Sequence, residues 1–460
     1  MGRRYWSISR TGQDEEFVLA KKWGASAETI RMGSEIGVIG LWHLGCVIAA
    51  SWSKLGHRVH GVDLDPSRVD RLQQGIPPIY EPMLETEIKK GIASKKLSFS
   101  AEMDVLRSCD FVFLAYDTPV GNDDSSDTSI LENSVLRVRD HLKDGAVLVI
   151  SSQSPVGFCA QLRKELMMQN TTLDLAYSPE NLRLGAALEC YMTPGRIILG
   201  VDNAQTEEKC RRLFQEVTAE IISMSLESAE LVKHGINSFL ATSIVFANEL
   251  SNICESQGAR IDDVIKGMKS DPRIGEKAYL SPGVGFSGGT LGRDLMVLSR
   301  RGPALGEDGN FFGYVLELNK RRINEIVGKI KNILGDIEDA KIGVLGLTYK
   351  PGTSTLRRSL PLEIAGKLVQ AGARVSAYDP KADYKELDTA PVFQVAKDIA
   401  ETAKDSDLLV LLTEWEEFKR FDWSSIKKEM RRPIFFDTKN CLDEDQMKKT
   451  GFRFLSLGRG

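Results

Sequence analysis

The sequence predicts an α/β protein in which two doubly wound, Rossmann-like domains are joined by a helical domain. Two nearly identical hexapeptides support this prediction: IGVIGL at 36–41 and IGVLGL at 342–347 each run an apolar strand into a glycine turn. Each is followed by a helix-length segment that ends at a glycine, Gly56 or Gly372, and by a second strand that ends in an acidic residue. A βαβ unit is therefore expected to begin each of two domains.

The rest of the chain supplies further strands and a helical middle. Short apolar runs at 110–115, 146–151, 173–178 and 196–200 continue the first sheet, and runs at 408–412 and 434–436 continue the second. Helical periodicity dominates from about 205 to 335, interrupted by a glycine-rich loop at 281–292. We therefore expect an appendage at 1–34, a first α/β domain at 35–215, a central helical domain at 216–335 and a second α/β domain at 336–460.

Composition and charge exclude several classes of protein. The 460 residues carry a net charge of −4, so no overall positive field attracts nucleic acid or a membrane surface. No segment reaches the roughly 18 apolar residues of a membrane span. The seven cysteines are scattered without C-x-x-C spacing, and the five histidines show no metal-binding spacing. We expect a cytoplasmic protein without a disulfide framework or bound metal, whose partners are small molecules.

The turn after the first hexapeptide is typical of a dinucleotide site. Gly40 and Gly45 stand at the first and third glycines of a G-x-G-x-x-G pattern, and Asp63 follows at the distance of a ribose-binding carboxylate. Trp42 occupies the second glycine position, so a glycine turn without a cofactor is the alternative. Asp63 favours NAD over NADP, whereas the nearby Arg68 keeps NADP as an alternative.

Three further groups of residues are candidates for a site. Glu230, Lys233 and Asn237 share one face of a helix, which suits an inward polar site or a solvated surface. The glycines at 283–292 let backbone amides approach a ligand or simply make a turn. Basic residues after the second hexapeptide, at 350–358, suit a phosphate group or an exposed basic loop.

Together these motifs resemble the UDP-glucose/GDP-mannose dehydrogenase family of nucleotide-sugar dehydrogenases. The resemblance covers residues 36 to 445, with the three domains in the order of the family. It rests on many separate segments, namely VDLDP at 62–66, PPIYEP at 77–82, TP at 118–119, SPVG at 154–157, SPENLR at 178–183, ELVKHGIN at 230–237, DPRIG at 271–275, GVGFSGG at 283–289, YDP at 378–380 and TEW at 413–415.

The resemblance implies an NAD-binding domain and a sugar-nucleotide-binding domain on either side of a helical dimerisation domain. In the family a C6 alcohol is oxidised twice, first with an Asp-water-Lys network and then through a thioester on a cysteine that a glutamate helps to hydrolyse. The implied NAD contacts are Gly40, Gly45, Asp63, Arg68, Thr118 and Gln153. The implied catalytic positions are Lys233, Asn237 and Asp294 for the first oxidation, Glu180 beside the reacting carbon, and Thr290 at the nucleophile position. The implied substrate contacts are Lys350, Gly285, Phe286 and Arg357, the last from either subunit.

The sequence departs from the family mostly where the second oxidation occurs. Thr290 replaces the nucleophilic cysteine, and a hydroxyl ionises far less readily than a thiol with its ordinary pKa of about 8.5. Arg293 replaces a lysine, Leu184 a glutamate and Gln153 a threonine. The acidic pair of the substrate loop has become Ser354 and Thr355, with Arg358 in place of a glutamate.

We therefore expect an NAD-dependent homodimeric oxidoreductase of a UDP- or GDP-sugar, with a role in polysaccharide biosynthesis. The missing cysteine favours a two-electron over a four-electron oxidation. The alternatives are full oxidation to the uronate through the aldehyde hydrate, a redox-neutral epimerase, and a silent protein that binds NAD or a nucleotide sugar without turnover.

Overall fold

The computed structural model describes residues 33–116, 128–168, 173–179, 182–183, 185–300 and 310–459. The predicted appendage, apart from its last two residues, lies outside these ranges. So do Thr118, Glu180 and Leu184, for which the sequence-based predictions stand as they are.

The first α/β unit is built on a sheet whose strands lie in the order β3-β2-β1-β4-β5-β6-β7-β8 within the described residues. Neighbouring strands are parallel except for β6 and β7, which pair antiparallel at Tyr177 and Gly200. The strands are β1 Glu35–Ile39, β2 Arg58–Val62, β3 Leu97–Ser100, β4 Phe111–Leu114, β5 Val147–Ile150, β6 Asp174–Tyr177, β7 Ile197–Gly200 and β8 Ile221–Met224. The helices are α1 His43–Leu55, α2 Pro66–Gln73, α3 Leu84–Ala93, α4 Ser129–Val138, α5 Phe158–Met168, α6 Ala187–Met192 and α7 Ala204–Phe214.

Alternation along the strands explains why this sheet is covered on both faces. Ile36 and Val38 pack in one apolar cluster with α1, while Ile39 packs in a second cluster on the opposite face. Trp52 of α1 is fully buried in the first cluster, and its indole Nε1 donates to the Tyr191 hydroxyl at 2.9 Å. The sheet is therefore doubly wound, with its carboxyl edge free to carry a site.

A helical region follows the first sheet. Its longest member, α8, begins where the Ser225 hydroxyl accepts from the Ser228 amide and ends at Gly258, whose φ is 69°. The region comprises α8 Leu226–Gln257, α9 Ile261–Lys269, α10 Thr290–Ser299 and α11 Phe311–Leu334.

The second α/β unit repeats the first in a smaller form. Its strands are all parallel and lie in the order β11-β10-β9-β12-β13-β14 in the part of the chain described. The strands are β9 Lys341–Leu345, β10 Arg374–Tyr378, β11 Gln394–Val395, β12 Leu408–Leu411, β13 Ile434–Asp437 and β14 Arg453–Ser456. The helices are α12 Leu360–Gln370, α13 Ile399–Ala403, α14 Glu416–Arg420 and α15 Glu444–Thr450.

The predicted fold class is confirmed: two Rossmann-like parallel sheets flank a helical region. The glycines predicted to end α1 and α12, Gly56 and Gly372, have φ angles of 113° and 96°. β8 joins the first sheet although it follows residue 215, so the division of the chain at 215/216 stays a prediction. None of the helices described is both long and apolar enough to cross a membrane.

Gly45 offers a test of the first unit, because a Cβ there would overlap the carbonyl oxygen of Gly40. We expect Gly45→Ala to lower the thermal unfolding temperature and to weaken NAD binding, since α1 must move away from the turn. Gly328 lies in α11 with open space around it, so Gly328→Ala should leave binding unchanged and stabilise the helix by about 1 kcal/mol. Equal effects of the two substitutions in calorimetry would contradict this packing.

Candidate active site

The first part of the site is the turn between β1 and α1. Gly40 has a φ of 89°, and a Cβ on it would meet the Tyr116 amide nitrogen at 3.1 Å. Gly45 packs against the carbonyl of Gly40, which draws the start of α1 onto the end of β1. The amides of a helix N-terminus thus lie at the carboxyl edge of the sheet, where a phosphate group is favoured.

Asp63 stands at the end of the neighbouring strand β2. Its carboxylate is buried and accepts from the amides of Leu41 at 2.7 Å and Asp65 at 3.0 Å. The Arg68 guanidinium also donates to it, at 2.8 Å. Asp63 is therefore fixed beside the glycine turn, at the place where a Rossmann domain holds a ribose.

Trp42 fits this turn without obstructing its backbone. Its φ of −91° is open to any residue, and its side chain does not cap α1. The indole is 43% exposed, and the Arg68 guanidinium lies 5.2 Å from the ring centroid. Because the indole lies against Arg68, the residues of the turn fit a dinucleotide despite the missing second glycine.

A cluster of polar side chains surrounds the carboxylate of Asp294. Asp294 lies on α10 and is fully buried. The Gln153 amide, from the loop after β5, donates to its Oδ1, and the Asn237 amide of α8 donates to its Oδ2. Arg293 donates to Oε1 of the Gln153 side chain, and this contact determines which way that amide group faces. Segments far apart in sequence thus meet at one carboxylate.

Gln153 and Lys233 have different positions relative to this cluster. The sequence resemblance places Gln153 at an NAD contact, whereas its amide is bound to Asp294 and Arg293. Lys233 lies one turn before Asn237 on α8 and is half-buried. Contact of either residue with NAD or substrate stays a prediction.

His234 is a member of the cluster that the sequence analysis missed. It is 1% exposed, its Nδ1 lies 2.9 Å from Asp294 Oδ1, and its Nε2 lies 2.9 Å from the carbonyl oxygen of Ser154. The sequence did offer a signal for His234. It lies three positions before Asn237 on one helix, so the two side chains share a face.

Glu230 has a structural position instead of facing a ligand. The buried carboxylate accepts from the backbone amides of Gly157 at 2.6 Å and Cys159 at 2.9 Å. These amides belong to the first turn of α5, where an anion is stabilising. Glu230 therefore fastens α5 to α8.

The glycine-rich loop before α10 is held by amide side chains of the long helices. Asn319 of α11 accepts from the Phe286 amide at 2.8 Å and donates to the Phe286 carbonyl oxygen at 2.9 Å. Asn248 of α8 accepts from the Gly283 amide at 2.7 Å. Gly285 has a φ of 107°, and a Cβ there would meet Asn319 Oδ1 at 2.6 Å. Gly285 and Phe286 are thus held firmly against α11.

The same loop contacts the second α/β unit. The Gly288 amide donates to the carbonyl oxygen of Arg358 at 3.0 Å, and the Leu360 amide donates to the Ser287 hydroxyl at 3.2 Å. Thr290 follows as the first residue of α10 and is exposed. The position of the expected nucleophile therefore lies at the open junction of the loop and the second unit.

Two cations from different segments, Lys350 and Arg183, lie near each other. Burial lowers the pKa of Lys350, the neighbouring Arg183 lowers it further, and Glu81 acts in the opposite direction. Lys350 is half-buried beside the Tyr349 ring, while Arg357 is exposed. A diphosphate placed between these cations would favour the charged form of Lys350.

The cysteines of the chain are all free, and none occupies position 290. Burial raises the pKa of Cys109 and of Cys210 to about 12, and raises that of Cys159 well above its usual value. These three thiols remain protonated near neutral pH, which makes them poor nucleophiles.

The two parallel sheets, the nucleotide turn and the polar cluster between them define an oxidoreductase with a dinucleotide cofactor. Residues 34–218 match the NAD binding domain of the UDP-glucose/GDP-mannose dehydrogenase family, 227–321 its central domain and 343–444 its UDP binding domain. The chain belongs to this family and is an NAD-dependent nucleotide-sugar dehydrogenase.

Relatives of known activity cover nearly the whole chain. It is 33% identical to the UDP-glucose 6-dehydrogenase of Rickettsia felis over 92% of this chain and 96% of that protein. It is also 33% identical to UDP-glucose 6-dehydrogenase YwqF of Bacillus subtilis, over 92% and 97% of the two chains.

Solved structures of the family have the same architecture. A UDP-glucose dehydrogenase of Pyrobaculum islandicum superimposes with a TM-score of 0.83 at 29% identity, covering 95% of this chain and 100% of the other. The UDP-N-acetyl-mannosamine dehydrogenase Cap5O of Staphylococcus aureus gives 0.77 at 26% identity, covering 93% and 99%.

Gly285→Ala is expected to disrupt the glycine-rich loop, which the resemblance assigns to the substrate. The new Cβ would require an unfavourable positive φ and would displace Asn319, at a combined cost of about 2 kcal/mol. Thermal unfolding and substrate KM report the two effects. Gly283→Ala is the matched control, since the nearest atom to its Cβ is Lys439 Nζ at 3.6 Å. If both variants behave like the parent chain, the loop is not held as described.

Proposed function

We propose that the chain oxidises one CH–OH group of a UDP- or GDP-sugar in a single two-electron step. The observation that carries the proposal is the contrast between two positions. The polar cluster around Asp294 is complete, whereas Thr290 stands where the family has its thiol. The groups for hydride transfer are retained without the group that would capture the aldehyde.

In this proposal Lys233, Asn237 and Asp294 act on the alcohol. The bound NAD supplies a hydride acceptor at its nicotinamide. Lys233 and Asn237 orient the hydroxyl, and Asp294 accepts its proton, directly or through a water, as the C–H bond breaks. One alcohol and one NAD⁺ thus give one carbonyl, one NADH and one proton. Glu180 is proposed beside the reacting carbon, on the resemblance alone.

The binding residues divide between the two sheets. Gly40, Gly45, Asp63 and Arg68 are proposed to hold NAD, and the geometry of their turn supports this. Thr118 and Gln153 complete the set by resemblance. Lys350 and Arg357, with Arg357 from one subunit or the other, are proposed to bind the diphosphate, and Gly285 and Phe286 to border the sugar. The closeness of the Arg183 and Lys350 cations supports an anionic ligand there.

Full oxidation to the uronate is the alternative among dehydrogenase reactions. Direct oxidation of the aldehyde hydrate would need Glu180 or Asp294 as a base and no covalent adduct.

The stoichiometry of NADH to sugar tests the proposal. We expect one NADH per sugar consumed and a product lighter by two hydrogens, from a screen of UDP- and GDP-hexoses followed by mass spectrometry. Two NADH with a uronate would contradict it. An altered sugar without net NADH, as an epimerase would give, would also contradict it. Failure to bind any nicotinamide dinucleotide at millimolar concentration in calorimetry would exclude every enzymatic reading.

A matched pair of variants at Thr290 sharpens this test. Thr290→Cys supplies a thiol at the junction of the loop and the second sheet, so it should capture the aldehyde. We expect a burst of second hydride transfer and a covalent adduct on that variant, because Leu184 stands where the family has a glutamate for hydrolysis. Thr290→Ser should show neither.

We further propose that the protein is a homodimer formed through α8 and that it works in the cytoplasm. Four large apolar side chains of this helix are 47% to 70% exposed: Leu231, Phe239, Phe246 and Ile253. Their spacings of eight, seven and seven residues place them along one face. An exposed apolar stripe of this kind is rare on a monomer, and a second copy of α8 matches it by two-fold symmetry.

Phe246→Glu should convert the dimer to a monomer in sedimentation velocity, because it places an unpaired charge in the centre of the apolar face. Val392→Glu is the control, since Val392 is equally apolar and 68% exposed but lies in the second α/β unit. A dimer that survives Phe246→Glu, or a parent chain that sediments as a monomer, would exclude this interface.

A further inference from the structure

His234 lies where both of its ring nitrogens face oxygen atoms. Nε2 is 2.9 Å from the backbone carbonyl of Ser154, which only accepts, so Nε2 must carry a hydrogen. Nδ1 is 2.9 Å from Oδ1 of Asp294. A neutral imidazole has one donor nitrogen, so a hydrogen must also lie between Nδ1 and Asp294. The pair therefore holds one proton, either on the ring or on the carboxyl group.

The other contacts of Asp294 decide which group holds that proton. The amide of Gln153 donates to Oδ1 and the amide of Asn237 donates to Oδ2. The Gln153 amide cannot face the other way, because its oxygen accepts from Arg293. Donors on both oxygens stabilise the carboxylate anion over the neutral acid. The proton then belongs to His234, which is an imidazolium.

The remaining charges around the ring are compatible with this assignment. Arg293 Nε lies 3.8 Å from Asp294 Oδ1, and Lys233 and Glu230 are on the same helix as His234. The carboxylate of Glu230 is bound to amides at the start of α5. Tyr177 and Cys159, which lie beyond Ser154, are neutral because burial raises the pKa of each. The loop that carries Gln153 and Ser154 brings no charge.

Burial gives the ion pair its importance. Asp294 is 0% exposed and His234 is 1% exposed. Charges removed from water are costly, so the two charges of this pair depend on each other and on the hydrogen bonds around them. Since Nε2 is bound to Ser154, the ring does not reach a substrate itself. Its effect on a reaction must pass through Asp294.

We propose that His234 is a positioning residue that, as a buried imidazolium, keeps Asp294 ionised and correctly turned to accept the proton of the alcohol. The protonation state of His234 stands on the geometry alone. Its catalytic consequence rests on the proposed function, in which Asp294 is the proton acceptor.

Two amide substitutions separate the two contacts of the ring. In His234→Asn the amide nitrogen occupies the place of Nδ1 and still donates to Asp294. In His234→Gln it occupies the place of Nε2 and donates only to Ser154. Both variants remove the positive charge, so an effect common to both reports the charge. A difference between them reports the contact with Asp294.

The ring nitrogens are observed directly by ¹⁵N NMR of the full-length protein at neutral pH. The chain has five histidines, and the signals lost in either variant belong to His234. We expect both nitrogens to show the shifts of a protonated imidazolium. A spectrum with one protonated and one bare nitrogen would overturn the proposal, because the proton would then lie on Asp294. This measurement needs no substrate, so its outcome does not depend on the proposed function.

The pH dependence of kcat tests the catalytic consequence. Both variants remove the positive charge beside the proposed proton acceptor, so the acidic limb of the profile should move to higher pH in both. We expect His234→Asn to retain roughly ten-fold more kcat than His234→Gln, at similar KM, because only the former keeps Asp294 turned. Unchanged acidic limbs, with both variants merely less stable, would reduce His234 to a structural residue and refute the proposal.

Discussion

The buried carboxylate of Asp294 is the constraint on which the site depends. An anion with no exposure to solvent is tolerated only where hydrogen-bond donors and a cation surround it. Those partners come from the loop after β5 and from α8, so the first sheet and the helical region must meet at α10. Gln153, His234 and Asn237 therefore fix the relative position of two parts of the chain as well as the carboxylate itself.

The glycine-rich loop before α10 depends on a second set of polar contacts. Asn319 and Asn248 hold the loop from the helical side, and the backbone carbonyl of Arg358 accepts from the Gly288 amide on the side of the second sheet. The loop leads directly into α10, so these contacts and the Asp294 cluster restrain the two ends of one short segment. Thr290 stands between them as the exposed first residue of α10, the position that the resemblance assigns to the nucleophile.

The two βαβ units show how one sequence pattern supports different sites. Asp63 and Asp379 both follow the second strand of their unit. Each accepts from the amide of the leucine that ends its hexapeptide, Asp63 from Leu41 at 2.7 Å and Asp379 from Leu347 at 2.8 Å. Asp63 also accepts from the Arg68 guanidinium, next to the turn proposed for NAD. Asp379 instead accepts from the amide and the hydroxyl of Thr348, each at 2.9 Å. The two units therefore share the turn and differ in the further donors to its aspartate.

The sequence by itself determined the fold class, most element positions, the family and the departure at Thr290. These follow from apolar periodicity, from glycines that only a tight turn requires, and from motifs whose order is linear. Tertiary structure alone decided the roles of Glu230, Gln153 and His234. Sequence spacing put Glu230 on a helix face suited to an inward polar site or a solvated surface, yet Glu230 fastens α5. No local pattern reports that Gln153 or His234 will meet Asp294. Such contacts join residues between 57 and 141 positions apart, so they exist only once the sheet and helices have packed.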